Sequence, residues 1–334
     1  MRRTLQLLAG ILISVVAVWL AMRDVRLAEV WGALRRADYR GFALVMGLTI
    51  LGFWIRALRW RWLISSPRRP GLDSLFSATM IGFMANNLLP LRLGEFVRAW
   101  VLGRRERISK TTVFATVVVE RVVDMITLLA ILGFVLLVHP LSERTEAGRL
   151  TWAGAGVLLT ACVALTAFVV AIERRPALAA RVVGWCVRVL PVRARGGAHN
   201  ALERFIEGLG LFSDLPRLTW VIFLSLVMFG VYTFCLTVGM WALRIDVPWY
   251  GGPVMLVITA IGIMVPAAPG YIGTLNLACV AGLALFSVGK ELSVPFSWFY
   301  WVSQWLPISL VGLFYLHREG LTLGSLSRAG AENA

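Results

Sequence analysis

The sequence predicts an all-α polytopic membrane protein with about six full spans and two broken or re-entrant helical hairpins. Three observations carry that reading. Of 334 residues, 59% are hydrophobic and only 15% are charged, with a mean hydropathy of +0.78, far from the composition of a soluble domain. Six apolar runs, residues 4–22, 41–55, 112–138, 151–172, 218–242 and 296–316, approach or exceed the roughly 20 residues that cross a ~30 Å hydrocarbon core. Their continuity means helices, because a membrane barrel would show short alternating strands.

The first run follows Arg2 and Arg3. It reads as a retained span and not as a signal peptide, since it is long and Trp19-Leu20-Ala21-Met22 lacks a small-residue cleavage site. Residues 23–40 read as a loop. After the second run, "RALRWRW" (residues 56–62) reads as a helix end, with Arg56 and Arg59 snorkelling to the interface beside tryptophans. The segment 173–217 is the most basic connection, so the positive-inside rule makes it cytoplasmic. Leu202, Phe205, Ile206, Leu209 and Phe212 recur within it at helical spacing, as in a linker lying along the membrane. Alternation from there places both termini in the cytoplasm of a multi-pass cell-membrane protein. The loop 23–40 dissents, being arginine-rich on the outer side. Residues 1–317 form one membrane domain on this reading, and 318–334 a disordered cytoplasmic tail.

Two segments are not simple spans. Residues 73–103 start and end in the cytoplasm, and 251–288 start and end outside. Each has two short apolar stretches around a break. The first break reads "IGFMANNLLPLRLGE" and the second "IGIMVPAAPGYIGT". Both carry Ile-Gly-x-Met (Ile81 to Met84, Ile261 to Met264) and then Pro-x-x-x-Gly (Pro90 to Gly94, Pro269 to Gly273). Two pseudo-repeats, centred on 73–138 and 251–316 and inverted in the membrane, account for this, and so does convergence of Gly and Pro at any membrane break. Proline and glycine leave backbone groups unpaired, and such groups must be buried in protein or line a wet cavity. Asn86, Asn87 and Arg92 are placed to supply partners. Half-helices starting after Pro90 or Pro269 would aim their positive ends inward, which favours an anionic group.

The adjoining run contains "VVVERVVDMITLL". Glu120 lies ~15 Å along a helix from Lys110, with Asp124 one turn further on the same face. Arg121 sits about 100° around the helix from Glu120, which points it to another partner, Glu95. Intramembrane charges cost at least ~2.5–3.5 kcal/mol each on insertion scales, so they pair or line a pathway. Glu95, Glu120 and Asp124 could balance Arg92, Arg98 and Arg121, either as a transport path or as a lock between helices.

Other chemistries find no support. The basic balance, +15, sits at the ends of apolar runs and suits anionic headgroups, not nucleic acid. Cys162, Cys186, Cys235 and Cys279 are too scattered for a metal, as are the three histidines. No phosphate loop, HExxH or GxSxG is present. No catalytic residue, metal or cofactor is expected.

"NNLLPLRLGEFVRAWVL", then "ERVVD", then "PAAPGYIGTLN" resemble, in that order, the transmembrane domain of lysylphosphatidylglycerol synthases. That domain also occurs alone in a wide flippase-like membrane protein family. The resemblance runs from the first span to about Tyr315. It implies a lipid translocase with a membrane lipid as substrate. In two-part members a soluble aminoacyl-transfer domain accompanies the membrane domain, which is implicated in moving the modified lipid between leaflets. The polar core of the family maps onto Asn87, Pro90, Arg92, Gly94, Glu95, Arg98, Glu120, Arg121 and Asp124. Its glycine-proline motif maps onto Pro266, Pro269, Gly270, Gly273 and Thr274, with Asn276 just beyond. The chain ends at Ala334, so no transferase domain is expected, and a transporter is favoured over an enzyme. Other members are associated with isoprenoid-linked glycans or hopanoids, which leaves the cargo open. The expected function is a flippase or scramblase for an anionic or zwitterionic phospho- or isoprenoid lipid. The alternatives are an intramembrane lipid-modifying enzyme and a lipid-binding scaffold for a separate synthase or glycosyltransferase.

Overall fold

The structure is a computed structural model that describes residues 2–23, 25–64, 69–89, 93–138, 156, 159–160, 163, 215–265 and 268–326. In chain order its elements are α1 (Arg2–Met22), α2 (Leu27–Arg35), α3 (Tyr39–Leu63), α4 (Leu72–Leu88), α5 (Gly94–Glu106), α6 (Lys110–Val138), α7 (Leu215–Ala242), α8 (Gly251–Met264), α9 (Thr274–Ala284) and α10 (Lys290–Arg318). A 3₁₀ turn, Pro269–Tyr271, precedes α9. The described residues hold three helices long and apolar enough to cross a membrane: Tyr39–Leu63, Pro216–Ala242 and Lys290–Arg318. At 29 residues α6 is also long enough, about 44 Å, but it carries Glu120, Arg121 and Asp124 in its first half. Pro90, Arg92, Pro266, most of 151–172 and of the linker 173–217, and the chain beyond Leu326 lie outside the described residues.

Interhelix contacts sort the helix ends into two groups. At the first end the Arg217 guanidinium donates to the Trp62 carbonyl, and the Trp62 and Trp220 rings stack at 6.2 Å. Arg105 and Arg318 both reach Asp73 there, which gathers the start of α4 and the ends of α5 and α10. At the second end the Asp38 N–H donates to the Ala242 carbonyl (2.8 Å), so α3 and α7 run antiparallel. Lys290 donates to the Arg23 carbonyl (3.0 Å), and Phe134 meets Trp249, which brings the ends of α1 and α6 beside the starts of α10 and α8. The expected loop 23–40 is in part the helix α2. Val30 and Ala33, three apart, are buried, and Val30 packs with Ala21, Val280 and Val294. Burial of that single stripe outweighs the flanking arginines that made the segment look like a loop.

The two broken segments are helical hairpins on opposite ends of this bundle. α4 and α5 meet at the first end through Arg105 and Asp73, and α8 and α9 open towards the second, where Tyr250 packs on Phe286. Their arms touch through glycine. A Cβ on Gly94 would lie 2.2 Å from the Gly82 carbonyl oxygen, and one on Gly262 would lie 2.4 Å from the Ala278 Cβ. A helix starts after each of these positions: α5 at Gly94 and, beyond the 3₁₀ turn that Pro269 opens, α9 at Thr274.

The hairpin tips converge on one stretch of α10. Asn87 donates from Nδ2 to Ser309 Oγ (3.1 Å) and the Trp305 carbonyl (3.4 Å), while Trp301 Nε1 donates to the Gly270 carbonyl (2.7 Å). The tips also approach each other, since a Cβ on Gly270 would lie 3.4 Å from the Asn87 carbonyl oxygen.

Candidate functional site

The helix period dictates which side chains can meet. On α3, Arg56, Arg59 and Trp60 lie three and four residues apart and share a face; on α6, Thr116, Glu120 and Asp124 do the same. These faces pack together, and α5 adds Arg98 while α7 adds Ser225. Trp60 Nε1 donates to Thr116 Oγ1 (2.9 Å), which fixes the indole, and the Arg98 guanidinium lies 3.6 Å from the centre of that ring. Such a stacked, desolvated cation adds attraction of about 2 kcal/mol.

Glu120, wholly buried, is the hub. Its Oε1 accepts from Arg56 (2.6 Å), Arg98 (3.0 Å) and Arg121 (3.0 Å), and its Oε2 lies 2.9 Å from Arg98 Nη2. Arg59 Nη2 is 3.5 Å from the same carboxylate. Asp124 pairs with Arg59 (2.7 Å), Arg56 (3.2 Å) and Arg121 (3.4 Å). Arg59 also donates to Ser225 Oγ (2.8 Å). Arg56, Arg59, Arg98, Glu120 and Asp124 are buried, whereas the Arg121 side chain keeps 39% of its surface open.

Several expectations change here. Arg56 and Arg59 do not snorkel; they turn inward because two carboxylates one turn apart on α6 face them. Arg121 does reach Glu120, since a long guanidinium spans the angular offset that separates adjacent Cβ atoms. Glu95 is within electrostatic range of Arg121, but its described hydrogen bond comes from Asn86 Nδ2 (3.5 Å), so it is a rim group and not the partner of Arg121. Of the expected three acids and three bases, Arg92 lies outside the described residues; among those described, four guanidinium groups meet two carboxylates. The signal for the two missed arginines was in the sequence: three residues apart, they share one helix face, as Glu120 and Asp124 do at four apart.

Of the other predicted residues, Asn86 caps α5, its Oδ1 accepting the Gly94 N–H (2.7 Å), and Asn87 anchors the tip of α4 to α10. Thr274 and Asn276 sit at the second break. Asn276 Oδ1 accepts the Gly273 N–H (3.1 Å) and its Nδ2 donates to Ser297 Oγ (3.0 Å). Gly270 (φ +74°), Tyr271 (φ +59°) and Gly273 (φ +89°) hold the left-handed turns that steer the chain into α9. None of the described hydrogen bonds of Thr274 or Asn276 reaches the arginine cluster. Pro90, Arg92 and Pro266 lie outside the described residues. Among the described residues no group of three or more His, Cys, Asp or Glu side chains could hold a metal.

Two further features frame the cluster. At the first end Arg105 joins Glu319 and Asp73 (2.7 Å), Arg318 also donates to Asp73 (2.9 Å), and Ser77 donates to Glu319 (2.9 Å). Partial burial alone pushes the Asp73 carboxyl up; the hydrogen bonds from Arg105 and Arg318 outweigh it and hold the group below the usual carboxylate range. On the other side, α1 clamps the second break, with Ser14 Oγ accepting the Ala268 N–H (2.8 Å). Beside that clamp an open, apolar cleft of about 760 Å³ runs along α1 from Ile11 to Arg23, with Ile272 on its far wall. None of its lining residues belongs to the charged cluster, and most of them are apolar.

Comparison with known proteins adds a family. Residues 7–312 match the lysylphosphatidylglycerol synthase TM region. The chain is 31% identical over 210 residues to a UPF0104 membrane protein of Methanothermobacter thermautotrophicus, covering 59% of this chain and 58% of that one. It is 30% identical over 135 residues to the glycosyltransferase AglD of Haloferax volcanii, covering 40% of this chain and 22% of that one. The match thus spans less than two thirds of either relative. No solved structure matches. With the family covering almost all of the described helices, the chain belongs to the lysylphosphatidylglycerol synthase transmembrane-region family and is an integral, multi-pass membrane protein.

Proposed function

We propose that this chain is a lipid translocase, a flippase or scramblase that passes a phosphate-bearing headgroup between leaflets while its hydrocarbon chains stay in the bilayer. One observation carries the reading: among the described residues, a cluster of four arginines held by two buried carboxylates, one arginine partly exposed and another, Arg98, on an arm of the first hairpin. Helix-locking charges would balance, because an uncompensated buried charge is strongly destabilising. A surplus of arginine is what an anion site needs.

The hairpins are read as re-entrant and as an inverted repeat. Supporting this, Gly82 packs on Gly94 and Arg98 in the first hairpin as Gly262 packs on Thr274 and Ala278 in the second, at the same offset in both copies. The arrangement resembles broken helices that meet near the midplane in transporters. The first end is cytoplasmic on this reading, with Arg104, Arg105, Arg107, Lys110 and the basic linker beside it, and so are both termini. The whole of 1–317 acts as one membrane domain. The apolar cleft along α1 suits a lipid chain. A separate lipid synthase or glycosyltransferase would supply the cargo; the likeness to AglD, a glycosyltransferase by name, supports such a pairing.

Leaflet-resolved transport of fluorescent phospholipids in proteoliposomes tests the proposal. Arg98→Gln, Arg121→Gln and Glu120→Gln are each expected to lower the rate at least tenfold. Unchanged rates in all three would overturn it, and a chemically altered lipid would favour an enzyme instead.

A further inference from the structure

Hydrogen-bond capacity in the cluster points to a class of cargo. An arginine offers five N–H donors and a carboxylate about four acceptor sites, so four arginines present about twenty donors to about eight sites. Ser225 adds one described acceptor. Among the described residues Nε of Arg56, Arg59, Arg98 and Arg121 is buried without a hydrogen-bond partner, while the two carboxylate oxygens that also lack a hydrogen bond, Glu120 Oε2 and Asp124 Oδ1, are already taken up by ion pairs with Arg98 (2.9 Å) and Arg59 (2.7 Å). Unfilled donors of this kind are costly when desolvated, and more so on a cation. Charge follows the same direction. Among the described residues the cluster carries a surplus of two positive charges, or one if the rim group Glu95 is included. Arg121 is the least buried of the four arginines, so an approaching group meets it first.

A phosphodiester brings one negative charge and two unbridged oxygens. A phosphate monoester brings close to two charges and three strong acceptor oxygens above its second ionisation, near pH 6. An aminoacylated or zwitterionic headgroup adds a cation that these arginines would repel. From this mismatch of donors and acceptors we infer that the site selects a lipid ending in a terminal phosphate, a monoester or pyrophosphate, over diester and zwitterionic lipids. The inference rests on the lipid-transport reading of the same cluster and narrows it.

Native mass spectrometry of the full chain, with phosphatidic acid, phosphatidylglycerol and phosphatidylcholine of identical chains in equal amounts, reads the selectivity. At about pH 8 phosphatidic acid should be retained about tenfold over phosphatidylglycerol, and the preference should fade towards about pH 5 as the monoester loses its second charge. Arg121→Gln, which removes one positive charge from the edge of the cluster, should lower the ratio of phosphatidic acid to phosphatidylglycerol retained. Inorganic phosphate should displace phosphatidic acid if the phosphate alone is recognised. Failure to displace, with the lipid preference intact, would mean that the lipid source is read through its chains as well. Equal retention of the two anionic lipids at both pH values, in the parent protein, overturns the inference. Transport is scored separately. Selective binding without leaflet exchange defeats the translocase reading alone, and exchange indifferent to headgroup defeats this inference alone.

Discussion

Replacing Glu120 by Gln removes one negative charge from a site where three guanidinium groups converge on a single oxygen at 2.6–3.0 Å. The amide keeps the volume and one acceptor, so packing is nearly unchanged and the electrostatic change is isolated. Asp124, which pairs with Arg56, Arg59 and Arg121, is then the one carboxylate left in the described cluster, Arg98 loses its acid partner, and the surplus rises from two to three. Breaking a buried pair by removing one partner costs about 3–5 kcal/mol. Because a factor of ten is 1.4 kcal/mol, the unfolding equilibrium should shift by about 10²–10⁴. The assay is reversible unfolding of the purified protein in mixed micelles, followed by tryptophan fluorescence. A second variant, Glu120→Gln with Arg98→Met, should recover part of the loss, because removing both members of a pair spares the stranded charge. Stability of Glu120→Gln within about 0.5 kcal/mol of the parent, the range of an ordinary surface change, would refute the reasoning. The arginines would then be compensated by something other than this carboxylate.

Three further outcomes follow from the geometry. Gly94→Ala places a methyl group 2.2 Å from the Gly82 carbonyl and 2.5 Å from Asn86. It should part the arms of the first hairpin at a cost of about 1–3 kcal/mol, seen as a lower unfolding midpoint and faster trypsin cleavage after Arg104 and Arg105. Asn87→Ala removes the tie from the tip of α4 to Ser309 and the Trp305 carbonyl; it should cost about 1 kcal/mol and speed exchange of the amides around residues 84–89. For Asp73, whose folded carboxyl is held below its usual range, the sign is that of a depressed acid. Its stabilising contribution is present above the unfolded value near ~3.9 and fades as pH falls through the lower, folded one. Thermal midpoints measured down to acid pH should drop below about pH 4 in the parent, and less steeply in Asp73→Asn, which is already weaker at neutral pH.

How far the sequence could be read depended on the range of the interactions involved. Apolar runs obey a length rule set by the bilayer, so α1, α3, α6, α7 and α10 were legible from composition alone. The breaks near Pro90 and Pro269 were legible too, because proline and glycine act on their own backbone. Legibility failed where a distant surface decides. α2 forms because Val30 finds Val280 and Val294, which are remote in the chain, as well as Ala21. Arg56 and Arg59 look like interfacial residues in isolation, and only α6 turns them into part of a buried cluster. Arg121 was misjudged by treating its guanidinium as if it sat at Cβ, although its reach carries it across to Glu120. Asn87 belonged to the break by position, yet its partners are on α10, more than two hundred residues away.

The contact between the hairpin tips, where Gly270 abuts the carbonyl of Asn87, has an electrical consequence. On the proposed translocation path, a charged headgroup that passes this contact climbs or descends the transmembrane potential, worth about 2.3 kcal/mol per elementary charge at 100 mV. Translocation of an anionic cargo would be voltage-steered in its direction without any nucleotide, and a potassium–valinomycin diffusion potential across the proteoliposome would tilt it either way.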